Sequence, residues 1–387
     1  MPTEISGSTG VNKITDGTVV TADIAADAVD GTKIADNAIN SEHITAGGVD
    51  DAHLATGITA SKLTGALPAI SAASLTNVPK DTTVGGRKNL FINGGFDLWQ
   101  RGTSLAGANN YLADRWYNTT SGTQSRQTFT VGQTDVPHNP TYYYRQVTGS
   151  TEWFETRQKI ENVALTAGRE VTLSYWMKSS SAFTNAPFRV QNFGSGGSSE
   201  VSAALTTASV TTSWAKYTQT FTLPSVSGKT IGAGSYLQIH ILRANLNSVT
   251  VDIANVQLEY GDTATDFEQR SYGEELALCQ RYCTVMNLKY LSFWYSSYGT
   301  HWFSETIKFP TTMRGNPSVS LVSGSFRFSH FNHSWKSDTL TSINNVQVAR
   351  PDHCLLRLTA TGSHSPTGHG IYSGEGVTAF IKADAEL

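Results

Sequence analysis

Residues 19–58, VVTADIAADAVDGTKIADNAINSEHITAGGVDDAHLATGI, repeat with a period of ten, and that period fits no plain helix or strand of a single chain. Val19, Val29, Ile39 and Val49 open the units, while Ile24, Ile34, Ile44 and Leu54 stand at their middles. A five-residue step turns an α-helix by roughly 500°, about 140° net, and an odd step puts successive side chains on opposite faces of a strand. Each unit must therefore bend, at pairs such as Asp-Gly, Asp-Asn and Gly-Gly, to lay its two apolar side chains toward one axis. A Val, Ile or Leu side chain contributes roughly 1.5–3 kcal/mol only when it is covered. One ribbon of this composition has too little bulk to cover its own apolar line. The spacing predicts a fibrous stalk that associates with copies of itself, most simply a parallel homotrimer. A disordered acidic tail is the alternative from composition, but disorder does not require branched residues in phase over four units.

The rest of the 387-residue chain is of another kind. Every aromatic residue lies at Phe91 or later, which puts a domain boundary near residue 86. Residues 1–85 hold ten Asp and Glu against four Lys and Arg, and the remainder twenty-one against twenty-four. No basic run or Arg-rich face offers nucleic acid a partner. The N-terminus MPTEISGSTGVNKITDG lacks a basic-then-apolar leader, and no window approaches eighteen apolar residues. A soluble chain without membrane insertion is expected. Cys279, Cys283 and Cys354 are an odd set that argues for synthesis in a reducing compartment. Cys279 and Cys283, four apart, are too few for zinc without further ligands and read as core.

From Phe91 onward, short alternating segments are separated by Gly, Asn, Ser and Thr clusters. In REVTLSYWMKSS, Val171, Leu173, Tyr175 and Met177 alternate with Thr172, Ser174 and Trp176, the period of a strand with one buried face. Several such strands without intervening helices predict a β-sandwich. SYGEELALCQRYCTVMN is the one helical pattern. Ser271 and Glu274 form a capping box, Glu274 and Glu275 suit the N-terminal dipole, and Leu276, Cys279, Cys283 and Met286 make an apolar stripe.

The segments NLFINGGFDLWQRGTS, YLADRWYN and VTVDIANVQLEYGDTATDFEQRS, in that order over about residues 89–270, resemble the jelly-roll, carbohydrate-binding-module-like domain of bacteriophage tail fibres and tail-associated proteins. The repeat is similar to the shaft of such fibres, the helix to their linker, and Phe309, Pro310, Met313, Arg314 and Pro317 in FPTTMRGNPSV to their tip domain. The fold class expected is mainly β: a fibrous N-terminal repeat stalk over 1–85, a jelly-roll β-sandwich over 86–270, a linker helix over 271–286, and a C-terminal β-sandwich tip over 287–387, assembled as a homotrimer. The resemblance implies a virion component, made in the bacterial host cytoplasm. Its N-terminal region would attach to other phage tail or baseplate proteins, and its modules would bind host surface polysaccharide.

Sugar-binding surfaces set an aromatic face against the apolar C–H face of a pyranose and fix its hydroxyls with polar side chains. Trp99, Trp116, Trp176 and Trp214 lie within motifs or alternating segments and read as packing. Trp153, beside a turn in GSTEWFE, is a contact candidate. So is Tyr143, because Tyr142, Tyr143 and Tyr144 cannot all face one core. In the tip, Trp294, Tyr295, Tyr298, His301 and Trp302 form the densest aromatic and His group, with Tyr298 beside Gly299 at an expected hairpin turn. An interchain β core is the alternative for that group. Related modules hold a structural Ca²⁺ near where first and last strands meet. Asp97 and Asp252 are the carboxylates placed for it, without a full ligand set; no other cofactor is expected. His330 and His333, and His364 and His369, depart from the His-x-His pairs with which some tail fibres bind metal.

Three functions compete: a receptor-binding tail fibre that adsorbs to a glycan such as lipopolysaccharide without catalysis, a polysaccharide depolymerase, and a purely structural shaft or adaptor. A depolymerase needs two carboxylates roughly 5–10 Å apart. Glu152 and Glu155 are the pair framed by aromatics, but three residues along a strand place them on opposite faces.

Overall fold

The computed structural model describes residues 87–287 and, further along, 294–298, 300–323, 326–329, 335–338, 343–360 and 380–387. The chain divides into two units, Met1–Val78 and Pro79–Leu387, and every described residue belongs to the second. The repeat stalk expected over 1–85, and His330, His333, His364 and His369, lie outside the described residues.

The body begins with β1 (Ser104–Ala106), β2 (Asn110–Tyr111), β3 (Tyr117–Asn118), β4 (Thr123–Thr128), β5 (Tyr142–Val147) and β6 (Glu152–Glu161), followed by a one-turn helix α1 (Val163–Thr166). It continues with β7 (Glu170–Ser179), β8 (Phe183–Asn185), β9 (Phe188–Asn192), β10 (Val201–Ala204), β11 (Ala208–Val210), β12 (Ala215–Thr222), β13 (Tyr236–Leu246) and β14 (Thr250–Tyr260). Two six-stranded antiparallel sheets result, one in the order β1-β4-β5-β14-β7-β12 and the other in the order β10-β9-β13-β6-β3-β2, with β8 and β11 as a separate ribbon. The fold is a jelly-roll type β-sandwich in a mainly β chain. Val171, Leu173, Tyr175 and Met177 of β7 face inward with no exposure, as their alternation predicts, and meet Phe154, Leu237 and Ile239 from the other sheet.

The motifs of the opening segment close one end of this sandwich. The Asn89 amide donates to the Val256 carbonyl at 2.9 Å, and its oxygen accepts from the Phe91 and Leu258 backbone N–H groups. Asn93, at φ 58°, donates to the carbonyls of Leu98 and Asp114, and its carbonyl accepts from the Trp116 indole. A Cβ on Gly94 would overlap the Val256 carbonyl oxygen, so the second position of Asn-Gly-Gly-Phe has no room for a side chain. Glu268 accepts from the N–H groups of Lys88 and Asn89, and Arg270 donates to the carbonyls of Asn89 and Phe91. Residues conspicuous in the sequence are thus hydrogen-bond clamps between the first and last segments of the domain.

Helix α2 spans Tyr272–Gln280, with the Ser271 side chain accepting from the Glu274 N–H. It is shorter than the 271–286 expected. Cys283 already belongs to a strand, β15 (Cys283–Asn287), so the predicted stripe is split between two elements. The helix buries Glu275 and Cys279, and Glu275 accepts from the Asn93 N–H rather than merely facing the dipole. Cys279, Cys283 and Cys354 are free and buried, and among the described residues no group of three or more His, Cys, Asp or Glu is arranged to hold a metal.

Beyond follow β16 (Trp294–Tyr298), β17 (Thr300–Lys308), β18 (Ser318–Ser323), β19 (Phe326–Ser329), β20 (Trp335–Asp338), β21 (Ile343–Ala349), β22 (His353–Ala360) and β23 (Phe380–Asp384). They pair as β15-β23-β18, β16-β17-β22-β21 and β19-β20. Phe309 and Met313 are buried, and their N–H groups donate to the carbonyls of Asp352 and Pro351. A buried ionic cluster joins this region to the sandwich: Arg101 reaches Asp114, Asp384 and Glu386 at 3.0–3.3 Å, and Arg115 pairs with Glu386 while its guanidinium lies 3.4 Å from the Tyr282 ring centre. No helix among the described residues is long and apolar enough to cross a membrane.

Candidate functional site

In β6, Phe154, Thr156 and Gln158 face the core, so strand alternation sends Trp153, Glu155, Arg157 and Lys159 to the outer face of the second sheet. The neighbouring β13 places Gln238 opposite Lys159 and His240 opposite Arg157. A bulge between His240 and Leu242 then shifts the register, so that Arg243 meets Glu155 and Asn245 meets Trp153. Phe188 of β9 pairs with His240, Tyr117 of β3 with Arg157, and Tyr111 of β2 with Tyr117. Directly paired residues share a face. One row across five adjacent strands therefore reads Phe188, His240, Arg157, Tyr117, Tyr111. At ~4.8 Å per strand the row is about 19 Å long.

The side chains along this row hold one another. Glu155 accepts from Arg157 at 3.2 Å and from Arg243 at 3.3 Å. The Arg157 guanidinium lies 4.6 Å from the Tyr117 ring centre, and the Tyr117 and Tyr111 rings meet edge to face at 5.0 Å. Arg243 lies between two rings, 5.0 Å from Trp153 and 4.9 Å from Phe188. Each guanidinium is thus set by an ion pair and an aromatic face together, which fixes its planar fork before any ligand arrives. Trp153 is 51% exposed beside the row, four residues along β6 from Arg157. At the β2 end of the row Tyr111, Tyr117, Arg157, Lys159 and Leu387 line an open pocket of ≈ 230 Å³.

His240 lies beneath this network. Burial, with Arg157 and Arg243 nearby, pushes its imidazole down to about 3, so the ring is neutral at pH 7. Its Nε2 lies 2.7 Å from the Gln238 amide nitrogen. That nitrogen can only donate, so Nε2 accepts and the ring proton resides on Nδ1. Nδ1 has no hydrogen-bond partner among the described residues, although Glu155 is 3.8 Å away.

The sequence candidates are distributed over separate places. Trp153 belongs to the strip just described. Tyr143 lies on the outer face of the first sheet, on the opposite side of the sandwich, where it packs against Phe129 and Trp214 at 4.7 and 5.5 Å; the two do not form one site. Of the three tyrosines, Tyr144 alone is fully buried. Trp99 and Trp116 are core, but Trp176 and Trp214 are only partly buried and belong to the outer face of the first sheet. The reading of Trp176 as core packing is corrected by the parity of β7, which turns it away from Tyr175, whereas Trp214 does pack, against Phe129 and Tyr143. Trp294, Tyr295 and Tyr298 lie on β16 and His301 and Trp302 on β17, antiparallel strands that meet at Tyr298 and Thr300; their side chains lie outside the described residues.

Asp97 and Asp252 are not a shared calcium site. Asp252 is held by Arg145 through two hydrogen bonds of 2.7 and 2.8 Å, with Lys178 at 3.8 Å. Asp97 lies instead beside Glu275 and Gln269, where burial and then the Glu275 charge raise its carboxyl. Two cations already neutralise Asp252, which leaves it no charge to offer a metal. Arg157, Lys159, Arg243, His240, Phe188, Tyr111 and Tyr117 were missed from sequence. For Glu155, Arg157 and Lys159 the signal was available, since they follow Trp153 at every second position of one strand.

Residues 88–234 match the carbohydrate binding domain family CBM_4_9. No curated protein matches the chain. Among solved structures, the CBM22-2 xylan-binding domain from Paenibacillus barcinonensis Xyn10C is similar at 12% identity and a TM-score of 0.29, over 38% of this chain and 92% of that one. The N-terminal cellulose-binding domain from Cellulomonas fimi β-1,4-glucanase C is similar at 20% identity and 0.26, over 33% of this chain and 83% of that one. The enzymatically active domain of bacteriophage CBA120 tailspike protein 4 is similar at 13% identity and 0.28, over 45% of this chain but only 21% of that one. This chain carries a carbohydrate-binding module domain within its β-sandwich, matched over residues 88–234.

Proposed function

We propose that the protein is a bacteriophage tail fibre, an adhesin that binds host-surface glycan without cleaving it, and that the outer face of the second sheet of its sandwich takes the saccharide. The observation that carries the binding reading is the row of Phe188, His240, Arg157, Tyr117 and Tyr111 across five strands, with Arg243 and Trp153 beside it further along β13 and β6. The face sets aromatic rings beside guanidiniums already held in place. Rings of this kind cover the C–H faces of sugars, and charged donors and acceptors beside them take the hydroxyls. A strip of about 19 Å suits an oligosaccharide rather than a single sugar.

The absence of catalysis is supported by the two carboxylates that resembled an acid and base pair. Glu152 accepts from Ser121 through both its N–H and hydroxyl at 2.6 Å and from the Thr148 hydroxyl, which lowers its carboxyl. Glu155, on the other face, is bound to two arginines. Glu152 is therefore not set up as a protonated general acid, and the oxygens of Glu155 are taken by guanidiniums. The virion role rests on the decapeptide repeat and on the resemblance of the sequence motifs to tail-fibre modules. Incubation of the purified chain with host lipopolysaccharide and capsular polysaccharide tests the reading. Saturable retention without new reducing ends is expected, whereas release of reducing ends would make it a depolymerase, and indifference to every host glycan a structural component.

A further inference from the structure

The outer face of the first sheet holds a pocket of its own, on the side of the sandwich away from the Trp153 strip. The parity that turns Trp176 outward on β7 sets it opposite Lys216 of β12 and Ala254 of β14. Between Ala254 and Gln257 the register of β14 shifts, and Asn255, at φ 45°, sits at that bulge. Ser174, Trp176, Lys216 and Asn255 from the sheet, with His138 and Phe267 from the loops above it, line a pocket of ≈ 170 Å³. Ser174 and Asn255 are buried and form its floor. The Asn255 amide nitrogen donates to the Pro137 carbonyl at 3.5 Å, which fixes the amide's orientation because a carbonyl can only accept. Its Oδ1 is left without a hydrogen-bond partner among the described residues, a costly state for a buried acceptor until a donor reaches it. His138 at the rim and its neighbour Asn139 also have left-handed backbone, at φ 67° and 46°, so three strained residues border one cavity.

We infer that this pocket is a second saccharide site, one that takes the single sugar unit at the end of a glycan chain. Trp176 and Phe267 offer apolar rings to the C–H faces of a pyranose, while Asn255, Ser174, Thr265 and Asp266 offer amide, hydroxyl and carboxylate groups to its hydroxyls. Lys216 and Asp266 bring one charge of each sign, which suits a neutral sugar. Size selects the unit. At about 30 Å³ per water the pocket has the room of about five or six waters, enough for one ring and too little for an oligosaccharide. The strip on the opposite face is open and about 19 Å long, so the two faces read different parts of a glycan, internal units on the strip and a terminus in the pocket. The pocket goes beyond the strip and does not depend on it.

The full chain is titrated with the methyl glycosides of glucose, galactose, mannose and N-acetylglucosamine, and separately with oligosaccharides released from host lipopolysaccharide. At least one methyl glycoside should bind saturably, at one site per chain, with a Kd of about 1 mM, the affinity open to a ligand of about a dozen heavy atoms. W176A should weaken that binding roughly tenfold or more, and W153A should leave it unchanged. A diazirine-bearing form of the same glycoside, photolysed on the wild-type chain, should label the peptides that carry Trp176 and Phe267, a readout that does not depend on a variant folding. Labelling of the Trp153 peptide instead, or glycoside binding lost in W153A and kept in W176A, overturns the inference and leaves the strip standing. So does binding of oligosaccharides with no methyl glycoside bound at about 20 mM. Glycoside binding that W176A weakens, with W153A without effect on any glycan, keeps the inference and overturns the strip. Binding of no glycan overturns both.

Discussion

The Arg243 guanidinium lies 5.0 Å from the centre of the Trp153 ring and 3.3 Å from the Glu155 carboxylate, across the strand pair that a bulge at His240 brings into register. Without that bulge, Arg243 would turn toward the core and the strip would end at His240. The relationship makes Trp153 an exposed ring with a fixed charged neighbour.

W153A should therefore weaken glycan retention by roughly 2 kcal/mol, about thirtyfold, as truncation of an aromatic anchor does. Because the ring is 51% exposed, the melting temperature should move by no more than about 2 °C. Isothermal titration and thermal melting check the two parts, and a large drop in melting temperature with intact binding would contradict the assignment.

G94A should do the reverse. A methyl group at this position overlaps the Val256 carbonyl oxygen, which cannot withdraw without breaking its bond from the Asn89 amide and the bond from the Val256 N–H to the Gly94 carbonyl. We expect a loss above ~3 kcal/mol by urea unfolding. Near-wild-type stability would mean that the end of the sandwich is looser than its hydrogen bonds imply.

The neutrality of His240 has a pH signature. Burial, Arg157 and Arg243 lower its folded-state value to about 3 from an ordinary 6.5, against the opposing charge of Glu155. As pH falls below about 6.5 the unfolded chain binds a proton that the native ring refuses, so stability is lost toward acid. The slope from this group approaches ~1.4 kcal/mol per pH unit. H240Q removes that component. Its stability relative to wild type should rise as the pH is taken from about 6.5 to about 4, and a constant difference would show that the ring is protonated in place.

Asp114 should give a slope of opposite sign. Burial pushes its carboxyl up to about 6, with the Arg101 charge opposing. The stability gained by holding a proton is present below its ordinary value of 3.8 and is lost as pH rises through 6. Relative to wild type, D114N should gain stability between about pH 4 and about pH 7, measured by urea unfolding. A flat difference would mean that Arg101 keeps Asp114 ionised throughout.

The repeat predicts assembly. The full chain should sediment with the mass of three copies, and removal of residues 1–85 should weaken or change that assembly. A monomeric full chain in light scattering would remove the basis for a self-covering stalk.

Alternation within a strand is a local property, and it carried the sequence reading a long way. It placed Val171, Leu173, Tyr175 and Met177 in the core, and the Ser271 cap was legible from two residues three apart. It also contained the correct answer for Trp176, whose parity with Thr172 and Ser174 outweighs its hydrophobicity. The motifs that stood out, Asn-Gly-Gly-Phe, Ala-Asp-Arg-Trp and Asn-Val-Gln-Leu-Glu, mark the backbone clamps that close one end of the sandwich. The site itself was decided by pairing between segments about ninety residues apart, such as Trp153 with Asn245 and Glu155 with Arg243. Sequence alone determined the alternation of faces along an unbroken strand, because that follows from one peptide geometry. Tertiary structure alone decided which outward residues meet, because register between distant strands, and the single-residue bulge that resets it, are set by how the whole core packs.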